Sequence, residues 1–203
     1  MRKIHYLSGI ILTIFIGLHL FNHITAIWGA DTHIKVMSML RHFYRNLFAE
    51  VILLAAVFVQ MFSGFTLFRR HRKRTTSKYE KLHLWSGLYM AAFLTIHLSA
   101  IFFGRMVLHL DTNFYFGVAG LNAFPYNLFF IPYYGLAIFS FFGHLAAIHH
   151  KKMNRFILGI SPSRQSGLIL IVGTALTILI FYGLTNQFQG VTVPTEYEVL
   201  IGK

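Results

Sequence analysis

The sequence predicts an all-α integral membrane protein, one bundle of five transmembrane helices with a cytoplasmic N-terminus and an external C-terminus. Three observations predict it. The chain of 203 residues is 56% hydrophobic and only 12% charged, and its mean hydropathy is positive, far from the balance of a water-soluble domain. Its apolar residues form continuous runs of the length, about 20 residues, that crosses a hydrocarbon core as a helix, without the two-residue alternation of a barrel. Most of the 18 Lys and Arg fall in three places, the N-terminus (Arg2, Lys3), the loop Arg69 to Lys81, and the stretch Lys151 to Arg164. These lie on one side of a five-helix path, and by the positive-inside rule that side is cytoplasmic.

The runs cover about 4–28, 47–68, 82–103, 126–148 and 166–188, and no composition shift divides residues 1–203 into separate domains. The first run starts almost at Met1, but it is long for a signal peptide and lacks a compelling small-residue cleavage site before Asp31, so it is expected to stay as a helix. Residues 29–46 carry Met37, Met39, Leu40, Phe43 and Leu47 at helical spacing, the pattern of a short interfacial helix. In the basic loop that follows, Ser77 with Glu80 three residues on forms a capping-box signature for the third helix. The external segment 104–125 is rich in Gly, Asn and aromatics and is expected to fold over the outer mouth of the bundle. Pro132 is tolerated in a first turn and kinks a helix if it lies deeper. The tail after Gln187, with Pro194, reads as external coil.

The absence of cysteine removes disulfides, thiolate metal sites, iron–sulfur ligation and covalent c-type haem attachment. The net charge of +12 is a topology signal, with anionic lipid headgroups as its expected partner, and its clustering argues against nucleic acid.

Helices one and three repeat each other without gaps from His5 on His83 to Leu20 on Leu98, with Ser8 on Ser86 and Gly9 on Gly87. The small Ser-Gly pairs suit close helix packing. The histidines ask for more, because an unpaired polar group in hydrocarbon costs several kcal/mol. At 1.5 Å per residue, His19 and His97 stand about 21 Å beyond His5 and His83, close to four whole turns and so on nearly the same faces. His19 and His97 thus share a depth in the outer half of the bilayer. Two neutral imidazoles facing each other there suit the axial positions of a haem iron built for electron transfer. Gly17, Ala91 and Ala92 leave room for a flat macrocycle or simply for packing. His144, on the inward-running fourth helix, lies at the depth of Gln60. It would be one ligand of a second haem, with Met61, His83 or His5 as the other, or a buried histidine bonded to Gln60 or a carbonyl. His23, one turn beyond His19, reads as an interfacial hydrogen-bonding group.

On these residues the chain resembles the five-helix cytochrome b membrane anchors of succinate dehydrogenases and fumarate reductases. The likeness spans almost the whole chain: its size, five helices, the IHYLSG and LHLWSG openings of helices one and three, and a His on each of helices one, three and four. It implies haem b as cofactor, His19 and His97 as axial ligands of an outer haem, and His144 as the helix-four ligand of an inner one. The chain departs from the pattern at QMFSG, where Gln60 stands in place of the helix-two ligand before Gly64. The resemblance further implies electron exchange between cytoplasmic flavoprotein and iron–sulfur subunits and a membrane quinone, in a bacterial inner (cytoplasmic) membrane. His5, Ser8, His83, Trp85, Ser86 and Gln60 would then line a quinone or propionate pocket. Glu50, early in helix two, would be a proton relay or a partner for Arg41 or Arg45. Three other readings remain: a haem b anchor of another dehydrogenase, a transporter or assembly protein with proton- or metal-carrying histidines, and an anchor without haem.

Overall fold

In the computed structural model, which describes residues 1–73 and 75–203, the apolar runs form helices: α1 (Arg2–Ile24), α3 (Leu47–His71), α4 (Lys78–Met106), α6 (Asn127–Lys152) and α7 (Pro162–Leu184). These five, with α1 extended by a 3-10 turn over Thr25–Trp28, are long and apolar enough to cross a membrane. The protein is therefore built as an integral membrane protein. Two shorter helices, α2 (Ala30–Tyr44) and α5 (Phe114–Asn122), occupy the connections opposite the basic end. The Ser77–Glu80 capping box is formed at the start of α4, each side chain bonding the other residue's backbone N–H. Pro132 lies past the first turn of α6, which continues through it. The apolar run of α7 is cut short at Leu184 because Asn186, Gln187 and Phe188 take left-handed backbone angles, and Thr185 caps the turn from its side chain.

The tail is not coil. Thr195–Ile201 forms a 3-10 helix packed on α5, with Tyr197 and Ile201 buried and the Tyr197 hydroxyl donating to the Asp111 carbonyl at 3.1 Å. Its apolar side chains supply the driving force that proline and charge concealed in the sequence. Burial, with Glu196 and Asp111 nearby, pushes the Tyr197 phenol up to about 12, so it stays a neutral donor. Asn122 joins this cover to the bundle, donating to the Val118 and Leu184 carbonyls and accepting from the Val191 N–H.

The spanning helices form a ring in the order α1, α3, α4, α6, α7 and back to α1, and close backbone packing runs round the ring rather than across it. The repeat acquires a spatial meaning here. α1 packs against α3 as α4 packs against α6, so a pseudo-twofold along the ring axis relates the two pairs, and α7 fills the remaining side. Side chains on the second helix of each pair take matching seats. The Gln60 amide lies 3.5 Å from where a Cβ on Gly9 would stand, and the His144 ring 3.2 Å from the same point on Gly87. Ser8 Oγ donates to Gln60 Oε1 at 2.6 Å, and Ser86 Oγ sits 3.3 Å from His144 Nδ1.

Candidate functional site: imidazoles inside the ring

At the outer level, His19 of α1 and His97 of α4 approach across the ring with ring centres 6.2 Å apart and planes at 68°. A metal-bound imidazole nitrogen lies about 2 Å from its metal, which places two rings gripping one ion from opposite sides about 6 Å apart centre to centre. Each ring can turn about its own metal–nitrogen bond, so the angle between planes is free. Each is also backed by a phenylalanine one turn earlier: Phe15 stacks on His19 at 5.9 Å and 17°, and Phe93 on His97 at 5.1 Å and 14°. Phe15 and Phe93 occupy equivalent places in the repeat. Sequence reasoning missed them because aromatic residues are common in apolar helices, although the register that matched the histidines also matched these.

His19 does not stand alone. Its Nε2 is 3.1 Å from His23 Nε2; His23 Nδ1 is 3.3 Å from His33 Nε2, and Asn22 Nδ2 donates to that same nitrogen at 3.1 Å. These contacts join the three rings and Asn22 into one hydrogen-bonded file. To bind a metal through Nε2, His19 must give up its bond to His23. His33 and Asn22 are 2% and 3% exposed, and His33 Nδ1 and Asn22 Oδ1 are buried without partners. His23 thus belongs to a connected file that extends outward to α2, not to a solvated interface.

Burial first, then the neighbouring His19 and the positive charge of Arg41, brings the His33 pKa down to about 4. The unfolded chain therefore takes up a proton near pH 6.5 while the folded chain resists until about pH 4. The stability that His33 supports is complete above pH 6.5 and is lost as pH falls toward 4, by about 3 kcal/mol in all. Thermal unfolding of the purified protein should show this loss, and the His33→Asn variant should show a flatter profile over the same range.

The inner level is divided between the two helix pairs. His5 Nδ1 is 2.9 Å from Ser63 Oγ and its Nε2 is 3.2 Å from Gln60 Nε2, so both ring nitrogens are engaged within the α1–α3 pair. On the other side, His83 and His144 stack face to face at 4.2 Å and 25°, and His144 Nδ1 is also 3.1 Å from the His83 carbonyl. Stacked rings direct their nitrogens side by side rather than toward a common point, so His83 does not oppose His144 across a metal. The Gln60 carbonyl and amide are both held, and Met61 is half-buried against the Leu12, Ala56 and Val57 cluster. His144 bonds to α4, not to Gln60. Trp85 is exposed and packs its edge against Phe68, away from this polar group.

At the end opposite the basic loops, Glu50 pairs with Arg105 at 2.7 Å, while Arg41 and Arg45 turn to Asp111 at 2.9 and 3.8 Å. The expected partners of Glu50 are thus replaced by an arginine from α4, and the network ties α2, α3, α4 and the 107–113 segment together. A cleft of about 560 Å³ also opens on this face, lined by Trp28, Tyr115, Asn186 and Gln187 among others, and none of the sequence-predicted site residues lines it. No family model matches the chain, and comparisons with curated proteins and with solved structures give no match.

Proposed function

We propose that the protein is a membrane haem b subunit that carries electrons between a cytoplasmic redox partner and membrane quinone, as in the anchors of succinate dehydrogenases and fumarate reductases. The observation that carries this reading is the 6.2 Å separation of the His19 and His97 rings, the spacing of two imidazoles on one metal. Among the described residues, no three His, Asp or Glu side chains are grouped to hold a bare metal ion, so a metal between these two rings needs a further donor set, which a porphyrin supplies. A haem held this way would contribute reversible one-electron chemistry. The chain contributes the two ligands, the phenylalanines that fix their planes, and the low-dielectric ring that excludes water. The inner polar group around Ser8, Gln60, His83 and His144 offers hydrogen-bonding partners for a quinone headgroup or a propionate, and its geometry favours one haem over two.

The His19–His23–His33 file supports a second reading, a proton-handling membrane protein without haem. A reduced-minus-oxidised spectrum of the protein purified from membranes separates the two, because only the first gives haem b bands. A pyridine haemochrome assay should find one haem per chain. Glu50 tests the relay assignment. As a clamp on Arg105, Glu50→Gln should lower stability by about 1 kcal/mol, read as a lower unfolding midpoint. Unchanged stability with slowed quinone reaction would make it a relay instead.

A further inference from the structure

The connection from α6 to α7, MNRFILGIS, contains a built β-turn on the basic side of the bundle. Ile157 and Ile160 exchange both backbone hydrogen bonds, at 3.2 and 2.9 Å, around Leu158 at φ 49° and Gly159 at φ 74°. Two left-handed residues in succession define the mirror-image turn of tight hairpins, where Asn or Gly normally takes the first place. Here a leucine does, in a conformation that a Cβ disfavours. The stem is fixed from α7: Gln165, 9% exposed, donates through Nε2 to the Arg155 and Ile160 carbonyls at 3.1 and 2.8 Å, and its Oε1 lies 2.8 Å from His149 Nε2. The tip carries Phe156, 70% exposed, Ile157, 48% exposed, and Leu158, 95% exposed, so the described residues leave Leu158 and most of Phe156 uncovered. Exposed Arg155 and Arg164 flank it in the chain, while Lys152 Nζ lies over the Tyr6 ring, 4.2 Å from its centre. Among the described residues, all three ion pairs lie at the opposite end of the bundle.

We propose that the Phe156–Leu158 tip is an interfacial anchor that inserts into the bilayer leaflet on the basic side, with Arg155 and Arg164 seated on anionic headgroups. Two features favour lipid over a soluble partner. The turn is tethered at both ends to spanning helices, and an arm of about four residues reaches little more than 10 Å, so the tip stays within the zone of headgroups and upper acyl chains. An apolar tip flanked by Arg is the pattern that such a zone binds, through buried apolar area and attraction to negative lipid together.

The chain has no cysteine, so Leu158→Cys and, separately, Phe156→Cys each accept a single nitroxide label. In vesicles of phosphatidylcholine with phosphatidylglycerol, the labelled full-length protein should collide with dissolved oxygen several-fold more than with a water-soluble nickel chelate. That preference should weaken in vesicles of phosphatidylcholine alone. Adding Gln165→Ala should release the stem and sharpen the label's spectrum toward faster motion. Equal or greater access to the nickel chelate at both positions, with the protein folded and inserted, overturns the proposal and leaves the tip as a docking point for a soluble protein.

Discussion

Replacing His97 with alanine should abolish the haem b signal while leaving an inserted, folded chain. The ring is half-buried, its hydrophobic partner Phe93 remains, and the helix that carries it is held by packing against α6. On the haem reading proposed above, what goes is one of two protein ligands that would hold the iron, since the 6.2 Å spacing needs both rings. The optical spectrum and haem per polypeptide give the readout, with helical content and elution volume as checks on folding. Unchanged haem content would remove the ligand pair and the function built on it. His23→Ala is the companion experiment. Because His23 Nε2 lies 3.1 Å from His19 Nε2, either ring stands near the place opposite His97. Retention of haem in His23→Ala, with loss in His19→Ala, assigns the α1 ligand.

The largest effect on stability is expected at Gly183. A Cβ there would lie 2.7 Å from the Ile27 backbone nitrogen and 2.9 Å from the Ala26 carbonyl carbon, and neither atom can swing aside as a side-chain end can. Gly183→Val should push α7 away from the Thr25–Trp28 turn and open a core in which Ala26, Ile180 and Leu184 are buried. Overpacking of this kind costs about 3 kcal/mol or more, and in a chain of this size it corresponds to an unfolding midpoint lower by about 10 °C. The displaced turn also sets the approach of α2, so the variant should loosen the contact of His33 with His23 as well.

The five spans were legible because hydrocarbon demands long apolar helices, and the capping box at Ser77 because its chemistry is local. The depth of His19 and His97 followed from counting along two parallel helices. What the sequence did not disclose depends on neighbours. Glu50 was expected to meet Arg41 or Arg45, and the packing of α3 on α4 brings it Arg105 instead. His83 and His144 share a level, but their stacking against each other arises from the close α4–α6 approach at Gly87 and Gly143. The tail escaped recognition because Pro194 and two glutamates mask Tyr197 and Ile201, whose burial depends on a surface that α5 provides. The His33 connection was hidden for a similar reason, since α2 had to fold back before its imidazole could meet α1.

A ring of five spanning helices whose backbones pack mainly on their neighbours has a thermodynamic corollary for the haem reading proposed above. A guest that binds only the folded form adds RT ln(1 + [L]/Kd) to its stability. Cells starved of porphyrin should therefore accumulate less of the polypeptide, even at constant synthesis, because quality-control proteases would meet a softer substrate.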